Sequence, residues 1–190
     1  MKMKHLIAVL LAASAASAFA APETFNIDPN HTFPSFEADH AGMSVFRGKF
    51  TKTSGTVVLD RAAKTGALDI TIDANTLDFG IEKLNNHAKS KDMFDVAQFP
   101  TATYKSNSIN FKGDVPVSVN GELTLHGVTK PVTLAINKFK CIQHPMLKRE
   151  WCGADASGEF NRADFGIGFG VPKFSPEVKL AIQIEAIKAN

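Results

Sequence analysis

Beyond residue 20, few side chains can do acid–base, nucleophilic or metal chemistry: His31, His40, His87, His126, His144, Cys141 and Cys152. A metal-binding or catalytic histidine pair on one helix face wants i, i+4 spacing, and none of these has it. The chain has no Gly-x-Ser-x-Gly elbow, no His-Glu-x-x-His and no Gly-rich phosphate loop opening a helix. No carboxylate pair stands out from the ordinary polar faces of strands. Scattered histidines are mostly surface or hydrogen-bonded residues. His87 and His126 are the general-base candidates if the chain were an enzyme, but nothing positive marks it as one. A non-enzyme with no metal is expected.

Cys141 and Cys152 are the only cysteines. An even pair in an exported chain reads first as a disulfide. The alternative is a metal site with His144, three residues after Cys141. Two thiolates and one imidazole are one ligand short of a structural zinc site. Export is suggested by residues 1–20. Lys2 and Lys4 form a positive n-region, Leu6 to Ala16 an apolar h-region, and Ala18-Phe19-Ala20 a small-x-small cleavage site. The h-region is short for a membrane span. A cleaved signal peptide over 1–20 and one domain over 21–190 are therefore expected, with a periplasmic location and no membrane span.

The whole chain has 190 residues, 44% hydrophobic and 21% charged, with a net charge of +2. Both excess cations lie in the leader. A balanced charge argues against a nucleic-acid binder, which replaces phosphate counterions with a basic patch. The length suits one domain with a sizeable core. A homodimer is left open.

Candidate residues need elements to hold them, and most of the chain reads as strands. Leu68, Ile70 and Ile72 alternate with polar residues. Val117, Val119, Leu123 and Leu125 repeat the pattern, as do Val132, Leu134 and Ile136, then Val178, Leu180, Ile182 and Ile184. Period two means strands with one buried face. Shorter strands are predicted near Thr24–Asp28, Phe36–His40, Phe46–Asp60, Thr101–Phe111 and Ala154–Asn161, with turn signals between the runs. Ile81 to Phe94 does not alternate. Ile81, Leu84 and Ala88 recur at helical spacing, so one or two short helices are predicted there. Many antiparallel strands plus a short helix mean an all-β closed barrel or a sandwich. The chain has 15 Phe, one Tyr and one Trp. That content suits a lumen for an apolar ligand, although composition alone favours a packed aromatic core.

Four stretches, in order, carry a resemblance. Ile27-Asp28-Pro29-Asn30-His31-Thr32 is followed by Phe36, His40 and Arg47-Gly48-Lys49-Phe50. His87-Ala88-Lys89-Ser90 leads to Met93-Phe94-Asp95-Val96 and Phe99-Pro100-Thr101-Ala102-Thr103-Tyr104. The third runs from Gly121 to Val132 through His126-Gly127-Val128-Thr129-Lys130-Pro131. The fourth is Asn161-Arg162-Ala163-Asp164-Phe165-Gly166. Together they resemble the YceI-like family of periplasmic polyisoprenoid-binding proteins. The resemblance implies an eight-stranded antiparallel, lipocalin-like barrel with a short helical insertion. Its elongated lumen would hold an isoprenoid lipid of quinone or polyprenyl type and need no other cofactor. Expected lumen residues are Phe36, Phe46, Phe50, Ile70, Ile72, Phe94, Phe99, Phe165 and Phe169. Expected mouth residues are His31, His40, Arg47, His87 and Ser90. Many relatives carry Arg-Asp before the histidine of the second stretch, where this chain has Leu84 and Asn85. That loss speaks against a pyrophosphate head, so binding should follow tail length and respond little to salt. Asp28-Pro29-Asn30 and His126-Gly127 are also good turn chemistry, so these motifs read equally well as structure. A packed-barrel stress or interaction protein, or an enzyme acting on a lipid, are the competing readings.

Overall fold

A computed structural model describes residues 21–190; the leader expected over 1–20 lies outside the described residues. The strands are β1 (Glu23–Ile27), β2 (Phe33–His40), β3 (Ser44–Phe50), β4 (Thr53–Asp60), β5 (Thr65–Asp73), β6 (Leu77–Asp78), β7 (Thr101–Lys112), β8 (Val115–Leu125), β9 (Val128–Gln143), β10 (Glu150–Asn161) and β11 (Glu177–Lys188). One α-helix, α1 (Glu82–Lys89), and two 3-10 turns (Ala74–Thr76 and Arg162–Phe165) complete the set. The strands β1-β4-β5-β7-β8-β9-β10-β11 run antiparallel in that order, and β1 pairs again with β11. The result is the closed eight-stranded barrel that the resemblance implies; closure leaves no free edge in the ring.

The N-terminal strands share the seam. Phe25–Ile27 pair with Lys188–Ala186 at one end of β11, and Phe33–Ala38 pair with Gln183–Val178 at the other. Between them Asp28-Pro29-Asn30 folds as a turn in which the Asn30 N–H donates to Asp28 Oδ1 at 2.9 Å. Thr32 bridges the break. Its hydroxyl donates to the Glu185 carbonyl and accepts from the Glu185 N–H, both at 3.0 Å, replacing the missing ladder bonds with a side chain. The run predicted as one strand from Phe46 to Asp60 is two. It breaks at Thr51-Lys52 because β3 must stay with β2 and β6 while β4 crosses to β1 and β5.

Antiparallel alternation places every hairpin at one of two ends. The β2–β3 and β8–β9 turns, the segment joining β5 to β7 and the segment joining β10 to β11 share what we call the upper end. His126-Gly127 makes a two-residue hairpin between Leu125 and Val128, with φ of +51° and +74°. Both central residues on the positive side define the twist-matching I′ turn. A Cβ at Gly127 would also lie 2.6 Å from the Phe99 ring.

Inward residues of the barrel strands bury Phe25, Ile70, Leu134 and Val178 among others. One alternation slips. Register shifts along β7 and β8 turn Pro116 inward and leave Val117 exposed. The helical segment is also shorter than predicted. Ile81 precedes α1 and is 59% exposed, while Ala88 is buried. Ser90 ends the helix in extended backbone, and turns carry the chain on through Phe94.

Candidate functional site

The inward faces do not fill the barrel. They enclose a cavity of about 370 Å³, within the range of small-ligand sites. Phe36, Phe50, Ile70 and Ile72 line it from the strands; Phe94, Leu84 and Ala88 line it from α1 and the turns after it. Glycine makes room for this wall. A Cβ at Gly48 would stand 2.6 Å from the tip of the Phe36 ring, which meets Phe79 edge-on at 5.5 Å. Phe50 in turn meets Phe94 edge-on at 5.8 Å.

At the upper end the cavity reaches an aromatic rim. His40 stacks on Phe46 at 4.2 Å and on Phe174 at 5.2 Å. His87 meets Phe169 edge-on at 5.0 Å. All five line the cavity. Phe169 is 47% exposed, so it is a rim residue rather than a deep one. Leu84 faces the cavity, whereas Asn85 is tied outside it. The Asn85 amide accepts from the Phe79 N–H at 2.7 Å and donates to Asp78 at 2.9 Å. This amide, with the Gly80 N–H, holds the Asp78 carboxyl below its usual range.

Five expected site residues sit elsewhere. Phe99 packs on His126 at 4.5 Å, outside the lining, because it wedges beneath the β8–β9 turn. Phe165 is buried against Phe160 at 5.2 Å but is also outside the lining. Arg47 points outward from β3 and pairs with Glu37 across the strands at 2.8 Å. Ser90 is the C-cap of α1. His31 lies on the flank near the lower end, 2.7 Å from Asp28 Oδ2 and beside Trp151. Partial burial works to raise the Asp28 pKa. The hydrogen bond with His31 and the Asn30 N–H outweigh it and lower the pKa; the same bond raises that of His31. His126 donates from Nδ1 to the Phe165 carbonyl at 3.1 Å, a rim-fastening role.

Cys141 and Cys152 are cross-strand partners on β9 and β10 and form a disulfide. Bonded to each other, they are not metal ligands. Asp28, His31 and Glu185 bring one ligand atom each within 4.8 Å of one another. Their hydrogen bond would have to break to admit an ion.

Sequence reading missed the polar lining. Tyr104 lines the cavity, yet its hydroxyl is tied off, donating to the Val132 carbonyl at 2.8 Å with Val119 at 3.3 Å. Thr53 lines it too, and its buried hydroxyl has no partner among the described residues. Arg162, quoted above only as part of a motif, is 7% exposed and lines the cavity. Its neighbours Asn161 and Gly166 flank a 3-10 turn. They are the one signal in the sequence that its backbone turns inward there.

A closed antiparallel barrel around an apolar cavity, entered past an aromatic rim, defines a small-ligand-binding barrel. A YceI-like domain model matches residues 25–186, and the chain belongs to that family. It is 33% identical to a UPF0312 protein of Shewanella denitrificans, across 97% of this chain and 98% of that one. It is 32% identical to Protein YceI of Salmonella arizonae over the same shares. Among solved structures, BcnA of Burkholderia cenocepacia superposes with a TM-score of 0.71 at 25% identity, over 84% of this chain and 99% of that one. A polyisoprenoid binding domain from Saccharophagus degradans superposes at 0.65 with 17% identity, over 87% of this chain and 98% of that one. The last shows likeness of fold.

Proposed function

We propose that this chain holds the tail of an isoprenoid or similar amphiphile in its barrel and shields it in the periplasm, as a carrier or sequestering protein. One observation carries the reading: the barrel interior is a cavity walled by Phe, Ile and Leu rather than a filled core. Each CH₂ buried there gains about 0.8 kcal/mol, so a tail of a few isoprene units binds without a hydrogen bond. The polyisoprenoid binding domain of the same fold supports the ligand class. The Cys141–Cys152 disulfide fits an oxidising compartment. A binding role also fits His40, His87, His126 and His144, whose rings pack on aromatic partners at the rim or hydrogen-bond to turn backbone.

Native mass spectrometry of protein purified from its own periplasm tests the proposal. A co-purified lipid of tail-and-head type is the expected result. Turnover of that lipid would make the chain an enzyme. A barrel that comes out empty and takes up no prenyl compound would overturn the reading in favour of a packed interaction protein.

A further inference from the structure

Among the described residues, Arg162 has no counter-ion. It lies at the top of β10, where its backbone N–H bonds the Pro176 carbonyl at 2.8 Å and its side chain turns under the segment joining β10 to β11. Nη1 donates to the Ile167 carbonyl at 2.8 Å and Nε to the Ser175 carbonyl at 3.3 Å. A guanidinium carries five N–H donors, so about three are left without a protein acceptor. No carboxylate pairs with it among the described residues. The one carboxylate residue on the cavity lining, Asp39, is exposed and already accepts from the Gly42 N–H at 2.9 Å. Burial pulls the Arg162 pKa down from its ordinary value, yet a guanidinium stays charged inside proteins.

A buried cation without a partner is costly, and buried charges are ordinarily paired. Two backbone carbonyls supply only part of what a carboxylate would. The unused donors belong to a residue that lines a mostly apolar cavity, alongside the rim residue Phe174 and its neighbour Ser175. A tail laid in the cavity would bring its head to this depth.

We infer that Arg162 is a head-group site and that the ligand is an anionic amphiphile, with phosphate or carboxylate oxygens on the free edge of the guanidinium and an apolar tail below. This rests on the lipid-binding reading and narrows it. It also reverses the expectation drawn from Leu84 and Asn85: the positive charge is supplied from the β10 side of the rim rather than from α1. Because the charge is buried, added salt screens it weakly, so weak salt dependence and an anionic head are compatible.

The test uses delipidated protein of residues 21–190 and three probes: farnesyl phosphate, farnesol and inorganic phosphate. Titration calorimetry should give farnesyl phosphate a preference of about tenfold or more over farnesol, the size expected of charge-assisted hydrogen bonds, and no measurable binding of inorganic phosphate. Arg162→Gln should erase the preference, bringing farnesyl phosphate to the same affinity as farnesol measured on that variant. Arg162→Lys should restore part of it, since it keeps the charge but not the fork. If Arg162→Gln does not fold, phosphorus NMR of wild-type protein decides. The second ionisation of bound farnesyl phosphate, near pH 6 when free, should move to lower pH. Equal affinity for the alcohol and the phosphate, or an unshifted ionisation, overturns the head-group site and leaves the carrier reading standing. Tight binding of inorganic phosphate alone overturns the amphiphile. Binding of none of the three overturns both.

Discussion

The imidazole of His40 lies flat on the ring of Phe46, with planes 15° apart and centroids 4.2 Å apart. His40 pairs with Ser44 across β2 and β3, so Phe46 is its diagonal neighbour. Phe174 covers the other face at 5.2 Å. This three-ring stack closes one side of the rim. Each aromatic contact is worth about 0.5–1.5 kcal/mol, and losing both faces removes little core. His40→Ala should therefore raise the dissociation rate of a bound prenyl probe by roughly 3- to 10-fold. The melting temperature should stay within a few degrees. Stopped-flow displacement and a thermal scan measure the two. A large fall in stability with unchanged dissociation would make the stack structural only.

Tyr104 is the sole tyrosine, so alkaline absorbance reads one group. Burial pushes its pKa from 10 to about 12. The folded pKa is raised above the unfolded one, so this contribution to stability is complete below pH 10. It is lost as pH rises from 10 to about 12, and on the scale of about 1.4 kcal/mol per pKa unit it amounts to roughly 2–3 kcal/mol. The 295 nm titration of native protein should stay flat through pH 10 and rise near 12 or with unfolding. Tyr104→Phe should cost about 1 kcal/mol through the lost bond to Val132. An ordinary titration near pH 10 in folded protein would contradict the buried, bonded hydroxyl.

The disulfide joins neighbouring strands 11 residues apart in sequence. Unfolded, unreduced protein should show no titratable thiol. Closing so short a loop stabilises by roughly 2–3 kcal/mol in the chain-entropy picture. Reduction should lower the denaturation midpoint accordingly while far-ultraviolet circular dichroism still reports the barrel. Both sulfurs lie 3.6 Å from Nη2 of Arg61, which pairs with Glu23 and Glu150 at 3.2 and 2.9 Å, and these ion pairs do not depend on the S–S bond.

A charge in the lumen should discriminate between depth and rim. Ile70 is 6% exposed and lines the cavity, so Ile70→Asp buries a carboxylate with no partner and should cost several kcal/mol or prevent folding. Phe169 is half exposed over His87, so Phe169→Asp should fold and lose only part of lipid retention. Chemical denaturation and a retention assay on both variants check this. Equal damage at the two positions would mean that the rim is as dry as the interior.

How much of this was legible without coordinates varies by residue. The strands of Ile70, Leu134 and Ile182 were readable because period two depends only on each strand having one wet and one dry face. His126-Gly127 was readable as a turn because its backbone demand is local. Val117 failed because a register shift between β7 and β8 is a property of two strands together, not of either sequence.

What the amino-acid sequence determined by itself was the face most strands bury, the turns, the disulfide pair and the family. What only the tertiary structure decided was whether the buried faces meet or leave space, and who borders that space. Phe94 and Phe99 look alike in sequence, yet one faces the cavity and the other props a turn. Arg162 looks like an ordinary polar residue after a strand; its burial follows from the long return segment that folds over it. Local patterns encode polarity against solvent. Closing a ring of eight strands sets distances between residues far apart in the chain, and those distances make the cavity and isolate its one buried cation among the described residues.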